Sequence, residues 1–399
     1  MRHLSNPPQK ILLITLVFGV VVSLLSVSRA YASESQLVPD KVTIARARVL
    51  EVKKQEMRTV PGTDLPTTFQ TIRVRVLEGD ETGKEVVVDN DYLNLTVGEV
   101  FYLSHTVGSL DGSNYYSVND PYRLPQIFWL VAIFIAAVFL FGGMQGVRGL
   151  VSLAGSFLLI FYVLLPGILH GYPPLFVTIA VSSLIIILGS YVTHGFTRST
   201  TAAVMGMVLT VSVTGFLAYW AVHFTRLSGL GSEEAVYLNL NARGSIDIVG
   251  LLLGGIIIGL LGVLYDAAIG QAVSVEELLR IAPHVSKKII YQRALRIGRE
   301  HIGALVNTLA IAYAGASLPL LLLFQQSASA SVAQIANTEI FSTEIVRILI
   351  GSIGLVLAIP ITTIVSVWFL TKNKRGVVDA REVAKETHAL EHTGHQHTH

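Results

Sequence analysis

The sequence predicts a membrane-embedded all-α helical bundle of seven crossings, with an N-terminal signal peptide or signal-anchor helix and a small extracytoplasmic all-β domain. Three observations support this fold class. Of the 399 residues, 52% are hydrophobic and only 14% are charged, whereas soluble domains carry about 25% charged residues. Residues 40–122 alternate apolar and polar side chains, as half-buried strands do. Residues 125–371 contain successive apolar stretches close to the ~20 residues that cross a bilayer.

The first 32 residues have the layout of a targeting segment. Arg2 and Lys10 accompany the apolar stretch ILLITLVFGVVVSLLSV, and a small-x-small cleavage pattern, AYA, ends at Ala32. The apolar stretch, at roughly 17 residues, is also just long enough to span a membrane. Residues 1–32 are therefore predicted to be a cleaved signal peptide or a retained signal anchor, and either one delivers the next segment to the outside.

Residues 40–122 are predicted to form a small extracytoplasmic β-domain. Ile72, Val74 and Val76 alternate with Arg73 and Arg75, and a turn rich in Gly and Asp leads to a second β-branched run. With the flanking runs KVTIARARVLEV and GEVFYLSHTV, the segment supplies four or five strands, enough for a small barrel or sandwich. We find no catalytic cluster in this segment and interpret it as an accessory or binding domain.

The membrane domain is predicted to cover residues 125–371. Its seven apolar runs lie at about 126–146, 149–169, 173–192, 200–222, 245–266, 301–324 and 343–370. The loop 267–300 and the segment after the last run are rich in Lys and Arg, whereas the loops on the opposite side are poor in both. Because basic loops stay in the cytoplasm, we predict a plasma-membrane protein with its β-domain outside and its C-terminal tail, residues 372–399, inside.

Composition and motifs exclude several classes of function. The chain has no cysteine, and therefore no disulfide, thiolate metal site or cysteine nucleophile. A net charge of +2 gives no indication of a nucleic-acid partner. The sequence lacks Walker A, GxSxG, HExxH and dinucleotide-binding patterns. We therefore expect no ATP-driven transport by this chain alone, no enzymatic activity and no cofactor.

Three segments of the membrane domain resemble the YibE/F-like family of multi-pass membrane proteins. They are GLLGVLYDAAIGQAVSVEEL, GREHIGALVNTLAIAYAGASLPLLLLF and NTEIFSTEIVRILIGSIGLVLAIPIT. The family pattern reads GAVMDVA where this chain has Tyr265 and Asp266 within GVLYDAA, and GRD where it has Arg299 and Glu300 within GRE. The resemblance covers about 125–371. It implies a multi-pass membrane fold, and transport is the activity usually suggested for the family.

Asp266 is the first candidate for a functional residue. A carboxylate at the centre of a spanning helix costs about 2.5–3.5 kcal/mol, but Asp266 is predicted at the cytoplasmic end of its crossing, where it can reach water. One interpretation is that it ends a helix at the interface. The other is that it serves transport and pairs with Arg299 or His301 of the next crossing. Arg299, Glu300 and Asn307 are therefore further candidates for transport or coupling.

Two crossings contain residues that interrupt helices. Gly315, Ser317 and Pro319 fall in the sixth crossing, and Pro360 falls in the seventh. Because proline removes one backbone hydrogen bond and frees a carbonyl one turn earlier, we expect irregular helix at these positions. Interrupted helices of opposite direction are typical of midplane binding sites in transporters, although Gly and Pro are also common in membrane helices of every kind.

Glu344 and Arg347 form a second charged feature. They lie three residues apart at the start of the last crossing, so that they share one helix face and can pair. Near the outer boundary of a membrane such a pair is more often interfacial than functional, and we interpret it in that way.

The C-terminal tail is rich in histidine. Imidazole nitrogens are ligands that Zn, Ni and Cu accept, so the tail could collect such ions. A solvated tail without a metal site is the favoured interpretation, because the histidines do not form a contiguous run. The residues concerned are His388, His392, His395, His397 and His399.

Two functions from different classes fit these observations best. We predict a secondary transporter or permease for an unknown small solute or ion, with its pathway among the last three crossings. The alternative is a non-transporting scaffold or accessory subunit that binds partners through the outer β-domain. Besides lipid, the expected partners include a second copy of the chain or another membrane protein. A transporter predicts a polar cavity that reaches Asp266, whereas a scaffold predicts a solidly packed bundle.

Overall fold

A computed structural model describes residues 41–59, 66–109, 112–242, 244–326 and 331–371. The predicted targeting segment, residues 1–32, and the His-rich tail, residues 372–399, lie outside the described residues. The chain divides into two compact units between Gly142 and Gly143. Each unit is built from its own core, and the first is all-β apart from one helical stretch.

The first unit contains a five-stranded antiparallel sheet, which confirms the predicted all-β domain. Its strands are β1 (Lys41–Thr59), β2 (Pro66–Val76), β3 (Glu85–Asn90), β4 (Val100–Val107) and β5 (Asn114–Pro121), in the order β3-β2-β1-β4-β5. The first part of β1 pairs with β4, and its second part pairs with β2 with two register shifts. Because such irregularities bend a strand, the long β1 joins both parts of a curved half-barrel.

The alternation in β2 separates the core of this sheet from its surface. Ile72 and Val74 are fully buried, while Arg73 pairs with Glu51, and Arg75 pairs with Glu85 at 2.7 Å on the outer face. The core residues are Ala47, Val49, Ile72, Val74, Val76, Val88, Leu95, Phe101 and Leu103. Successive strand residues point to opposite faces, so the same pattern that predicts the strand also selects its buried side.

The remaining elements are helices. They are α1 (Leu124–Leu159), α2 (Leu165–Leu169), α3 (Pro174–His194), α4 (Arg198–Phe224), α5 (Glu233–Asn241), α6 (Ile248–Ile281), α7 (Lys287–Ala316), α8 (Leu318–Gln326), α9 (Val332–Ala336) and α10 (Glu339–Thr371). A π-helical turn, Ile160–Leu164, joins α1 to α2. Among the described residues, five helical segments are long and apolar enough to cross a membrane, or six if the bent pair α7 and α8 is one span.

The difference from the predicted seven crossings lies at the start of the helical region. The runs 126–146 and 149–169 form one helical segment, Leu124–Leu169. Gly143 interrupts this segment with φ 52° and ψ −142°, a conformation that glycine adopts readily because it has no Cβ. By helix length and composition this segment is therefore one candidate membrane span, whereas the apolar pattern of the sequence predicts two crossings.

The basic segment 267–300, which the sequence predicts to be a loop, is mostly helical. α6 continues to Ile281, and α7 begins at Lys287 with Ser286 as its N-cap. The end of an apolar run indicates where a helix leaves the lipid, but the helix itself can continue beyond that point. In the last turns of α6, Arg280 forms ion pairs with Glu276 and Glu277, and such pairs stabilise a helix. Asp266 is consequently in the middle of a 34-residue helix instead of at its end.

α6 and α10 are the central helices of the second unit. α6 packs against α3, α4, α7 and α10, and α10 also packs against α4 and α7. Glycines allow these contacts: a Cβ on Gly254 would lie 2.6 Å from the Thr178 hydroxyl oxygen, and one on Gly206 would lie 2.7 Å from that of Thr362. Because lipid provides no hydrophobic drive between helices, close packing at small residues is what holds such a bundle together.

The helix breaks expected from the sequence differ between the two crossings. α7 ends at Ala316, and the chain bends by 70° into α8, with Ser317 at the break and Pro319 just after it. α10, in contrast, continues through Pro360 without an interruption. Proline is tolerated in membrane helices when neighbouring groups satisfy the local backbone, and the Thr363 hydroxyl donates to the Ile359 carbonyl beside Pro360 at 2.6 Å.

Candidate functional site

A cavity of about 350 Å³ lies between α6, α7 and α10. We call it the Asp266 cavity. Its polar residues are Asp266, Gln271 and Ser274 from α6 and His301 and Thr308 from α7. Its other lining residues are Ala267, Gly270, Ile297, Ala304, Leu305 and Ile359. The volume lies at the small end of the range, about 300–1,000 Å³, in which proteins bind small molecules.

Gln271 ties the three helices of this cavity together. Its side chain is 3% exposed, and its Nε2 donates to the Ala294 carbonyl of α7 at 2.8 Å and to the Thr363 hydroxyl of α10 at 2.7 Å. Its Oε1 faces Gly298, where a Cβ would be only 2.6 Å away. The sequence pattern does not single out Gln271. The available signal is that Gln271 lies five positions after Asp266 in an otherwise weakly polar helix.

His301, and not Arg299, shares the cavity with Asp266. Positions 297, 301, 304, 305 and 308 of α7 line the cavity, and their spacing of three or four residues defines one helix face. Arg299, Glu300 and Asn307 lie off this face and are exposed. Among the described residues Asp266 and Arg299 form no ion pair. Of the four candidate transport residues, the structure therefore brings only Asp266 into the cavity.

A second cavity, of about 220 Å³, lies near the N-terminal ends of α6 and α10. We call it the Arg347 cavity. Arg347 and Glu344 line it from α10, and Gly255 lines it from α6. The predicted pairing of the two charges is confirmed, because Arg347 Nη1 donates to Glu344 Oε1 at 2.8 Å. Their side chains are only 28% and 20% exposed.

The charged pair is connected to the helix break. The Ser317 hydroxyl, at the bend between α7 and α8, donates to Glu344 Oε2 at 3.2 Å. The Arg347 guanidinium lies 5.9 Å from the centre of the Tyr313 ring, within the range of a cation–π contact. The interfacial interpretation of Glu344 and Arg347 therefore missed their contacts with a bent neighbouring helix, which a single-helix pattern does not contain.

Tyr313 lies between the two cavities. Its hydroxyl rests on Gly259 of α6, where any Cβ would overlap it, and this hydroxyl is buried without a hydrogen-bond partner in the described part of the chain. Along α6, Gly255 lines the Arg347 cavity, Gly259 contacts Tyr313 and Asp266 lines the other cavity. At 1.5 Å per residue, Gly259 and Asp266 are about 10 Å apart along the helix axis. Measured along α6, the side chain of Tyr313 thus lies between the two cavities.

A comparison with models of protein families identifies the family of this chain. The family model described as YibE/F-like protein matches residues 130–372, more than half of the chain. The chain belongs to the YibE/F-like family. The matched residues include both cavities and Tyr313. No curated protein and no solved structure matches the chain.

The helices of this YibE/F-like protein are suited to contact with lipid. In the segment Leu124–Leu169, the most apolar stretch of 18 residues has no side chain buried within the protein. Membership of the family and these apolar helices together identify a membrane protein. Within the described residues, no group of three His, Asp or Glu side chains could hold a metal ion. The candidate metal ligands His388 to His399 lie outside the described residues.

Proposed function

We propose that this YibE/F-like protein is a secondary transporter or permease whose pathway runs between α6, α7 and α10. The observation that carries the proposal is the arrangement of two cavities along α6 and α10, with Tyr313 of α7 at the level between them. Alternating access requires a site that is reached from one side at a time, with a barrier at one level of the membrane. The position of Tyr313 between two cavities supports the proposal of such a barrier.

The bend between α7 and α8 supports the same proposal. Discontinuous helices in transporters place backbone groups and side chains at the substrate path, and their ends can move as rigid bodies. Here the 70° bend is next to Ser317, which contacts Glu344 in the Arg347 cavity. A movement of α8 about this bend would therefore act directly on the Glu344–Arg347 pair.

We propose the following orientation in the plasma membrane. In this proposal the segment Leu124–Leu169 crosses the membrane twice, with its break at Gly143, so that seven crossings put the β-domain outside and the tail inside. The basic residues at the end of α6 and in the first half of α7 favour the cytoplasm. These residues are Arg280, Lys287, Lys288, Arg293, Arg296 and Arg299. In this orientation the Asp266 cavity opens to the cytoplasm and the Arg347 cavity opens to the outside.

Cysteine accessibility tests the proposal without knowledge of the substrate, because the natural chain contains no cysteine. Gly270 lines the Asp266 cavity, Gly255 lines the Arg347 cavity, and a Cβ at either position meets no atom within 4 Å. In oriented membrane vesicles, a membrane-impermeant maleimide should modify Gly270→Cys from one side and Gly255→Cys from the other.

Two buried positions on the same helix provide matched controls. Leu253 is 2% exposed and Ala268 is fully buried, so Leu253→Cys and Ala268→Cys should resist the reagent from both sides. Modification of both cavity cysteines from the same side, or of neither, would contradict a transport pathway. The second result is the one expected of a solidly packed scaffold.

A further inference from the structure

We propose that the Asp266 cavity binds a small organic cation, that is, a solute with an ammonium group and a short apolar body. This inference rests on the proposed function in taking the cavity as the substrate site, and it adds the chemical class of the substrate. It depends on which hydrogen-bonding groups of the lining side chains are already used and which are left for a ligand.

The neutral polar side chains of the cavity have already used their donors. Both hydrogen bonds that the Gln271 amide nitrogen can donate go to Ala294 and Thr363. The Ser274 hydroxyl donates to the Gly270 carbonyl at 2.9 Å, and the Thr308 hydroxyl donates to the Ala304 carbonyl at 2.8 Å. A hydroxyl has one hydrogen and two lone pairs, so Ser274 and Thr308 can offer a ligand only acceptors.

Asp266 adds a negative charge that no neighbouring group neutralises by contact. Its carboxylate is exposed to the cavity and has only acceptor sites when ionised. Among the described residues it receives no hydrogen bond and forms no ion pair. His301 faces the same space, and His194 of α3 is near enough to interact electrostatically with Asp266. Among the described residues neither imidazole forms an ion pair with the carboxylate. An acid within a membrane bundle is stabilised by a positive partner, and in this cavity the partner is left for the ligand to supply.

The rest of the lining decides between an organic cation and a bare metal ion. The apolar residues Ala267, Ile297, Ala304, Leu305 and Ile359 form much of the wall. A hard metal cation requires six or more oxygen ligands around it, and these side chains offer none. A cavity of about 350 Å³ instead accommodates a short hydrocarbon body against the apolar wall, with its ammonium group at Asp266. An anionic solute would find few free donors.

Binding of n-butylammonium to the purified full-length chain tests the inference. We expect this probe to raise the melting temperature of the protein in detergent. Three matched solutes change one property at a time: sodium butyrate reverses the charge, 1-butanol removes it, and sodium chloride supplies an inorganic cation. None of the three should produce the same shift. A shift with sodium chloride alone, or an equal shift with butyrate or butanol, would overturn the inference.

Variants locate the binding in the cavity. Asp266→Asn should weaken the apparent affinity for n-butylammonium by about tenfold or more, since it removes the charge of a close pair. Thr308→Val, which keeps the side-chain shape and removes an acceptor, should weaken it less. Glu300→Gln removes an acid that is exposed outside the cavity and should have no effect. Equal binding by Asp266→Asn and the natural chain would refute the site.

The binding experiment and the cysteine experiment can fail separately. If n-butylammonium binds at Asp266 but both cavity cysteines react from the same side, the cation site is retained and transport is rejected. If the cysteines react from opposite sides but the cation does not bind, transport is retained and the substrate class is rejected.

Discussion

The Tyr313 hydroxyl rests directly on Gly259, at the level of α6 that separates the Asp266 cavity from the Arg347 cavity. In this contact the Tyr313 side chain of α7 lies directly against the backbone of α6. It is possible only because residue 259 has no Cβ. Stability measurements on the two residues can therefore test whether this separation exists.

Gly259→Ala should destabilise the protein because its Cβ would collide with the Tyr313 hydroxyl. Tyr313→Phe removes that hydroxyl, which has no partner among the described residues, and should therefore cost little. Combined with Tyr313→Phe, the alanine should cost less, with a coupling free energy of about 0.5–3 kcal/mol. Gly262→Ala, on the same helix with no atom within 4 Å, is the control and should be neutral. Additive effects at 259 and 313 would show that the residues do not touch.

Gln271→Leu should destabilise the helical unit by about 1–3 kcal/mol, because it leaves buried partners on two neighbouring helices without their donor. The change in free energy of unfolding can be measured by denaturant titration in mixed micelles. Gln145 is exposed and donates one hydrogen bond, to the Thr193 carbonyl, so Gln145→Leu is a control with a smaller expected effect. If both substitutions cost the same, Gln271 does not join the three helices.

Removal of Arg347 alone should be worse than removal of the whole ion pair. Arg347→Met leaves the partly buried carboxylate of Glu344 with Ser317 as its one remaining partner in the described part of the chain, and an unpaired buried charge is costly. Glu344→Gln combined with Arg347→Met removes the charge as well. Thermal melting should rank the single Arg347 variant below this double variant. The reverse order would support an interfacial pair that reaches water freely.

The β-domain should lose stability in acid through Glu81. Lys84 Nζ lies 2.7 Å from its carboxylate, and this hydrogen bond, with that of Tyr116, holds the pKa of Glu81 below its ordinary value of 4.5. A carboxyl group whose pKa is lower in the folded state stabilises the fold above that ordinary pKa and loses this contribution as the pH falls through the folded value.

Lys84→Met should therefore reduce stability at neutral pH and make the remaining stability of the β-domain less dependent on pH below about 4.5. Hydrogen exchange of β4 amides in the full-length chain, measured against pH, reports this change locally. Lys53 is exposed and forms no ion pair among the described residues, so Lys53→Met is the matched control. An unchanged acid profile in the Lys84 variant would show that the hydrogen bond from Lys84 to Glu81 has no role in it.

Local pattern predicts the β-domain and the apolar helices, because strand alternation and helix hydrophobicity are properties of short segments. It also identifies Asp266 and the Glu344–Arg347 pair. It does not determine which charged residue of α7 shares the cavity with Asp266. Arg299 and His301 are two positions apart, and their side chains therefore point about 200° apart around the helix. The predicted start of the sixth crossing is uncertain by a few residues, so it does not determine which of the two residues faces α6. Because Arg299 faces away, we expect no rescue from exchanging its charge with that of Asp266.

Contacts between helices were beyond the sequence for a different reason. Gln271 is one of many uncharged side chains, and its importance comes from Ala294 and Thr363, which are 23 and 92 positions away in the chain. The contact of Tyr313 with Gly259 likewise depends on the bundle. The helix break at Ser317 was visible because Gly315 and Pro319 are local signals, whereas the continuity of α10 through Pro360 depends on its surroundings.

α6 carries lining residues of both cavities on one uninterrupted rod. Gly255 and Asp266 are separated by about 16 Å along the axis of this helix, and a rigid helix cannot change that distance. If α6 tilts about its contact with Tyr313, its two ends move in opposite directions, so that one cavity widens while the other narrows. In the proposed transporter, the opening of the two cavities would then be mutually exclusive because both are lined by one rigid helix, without any relay of side chains between them.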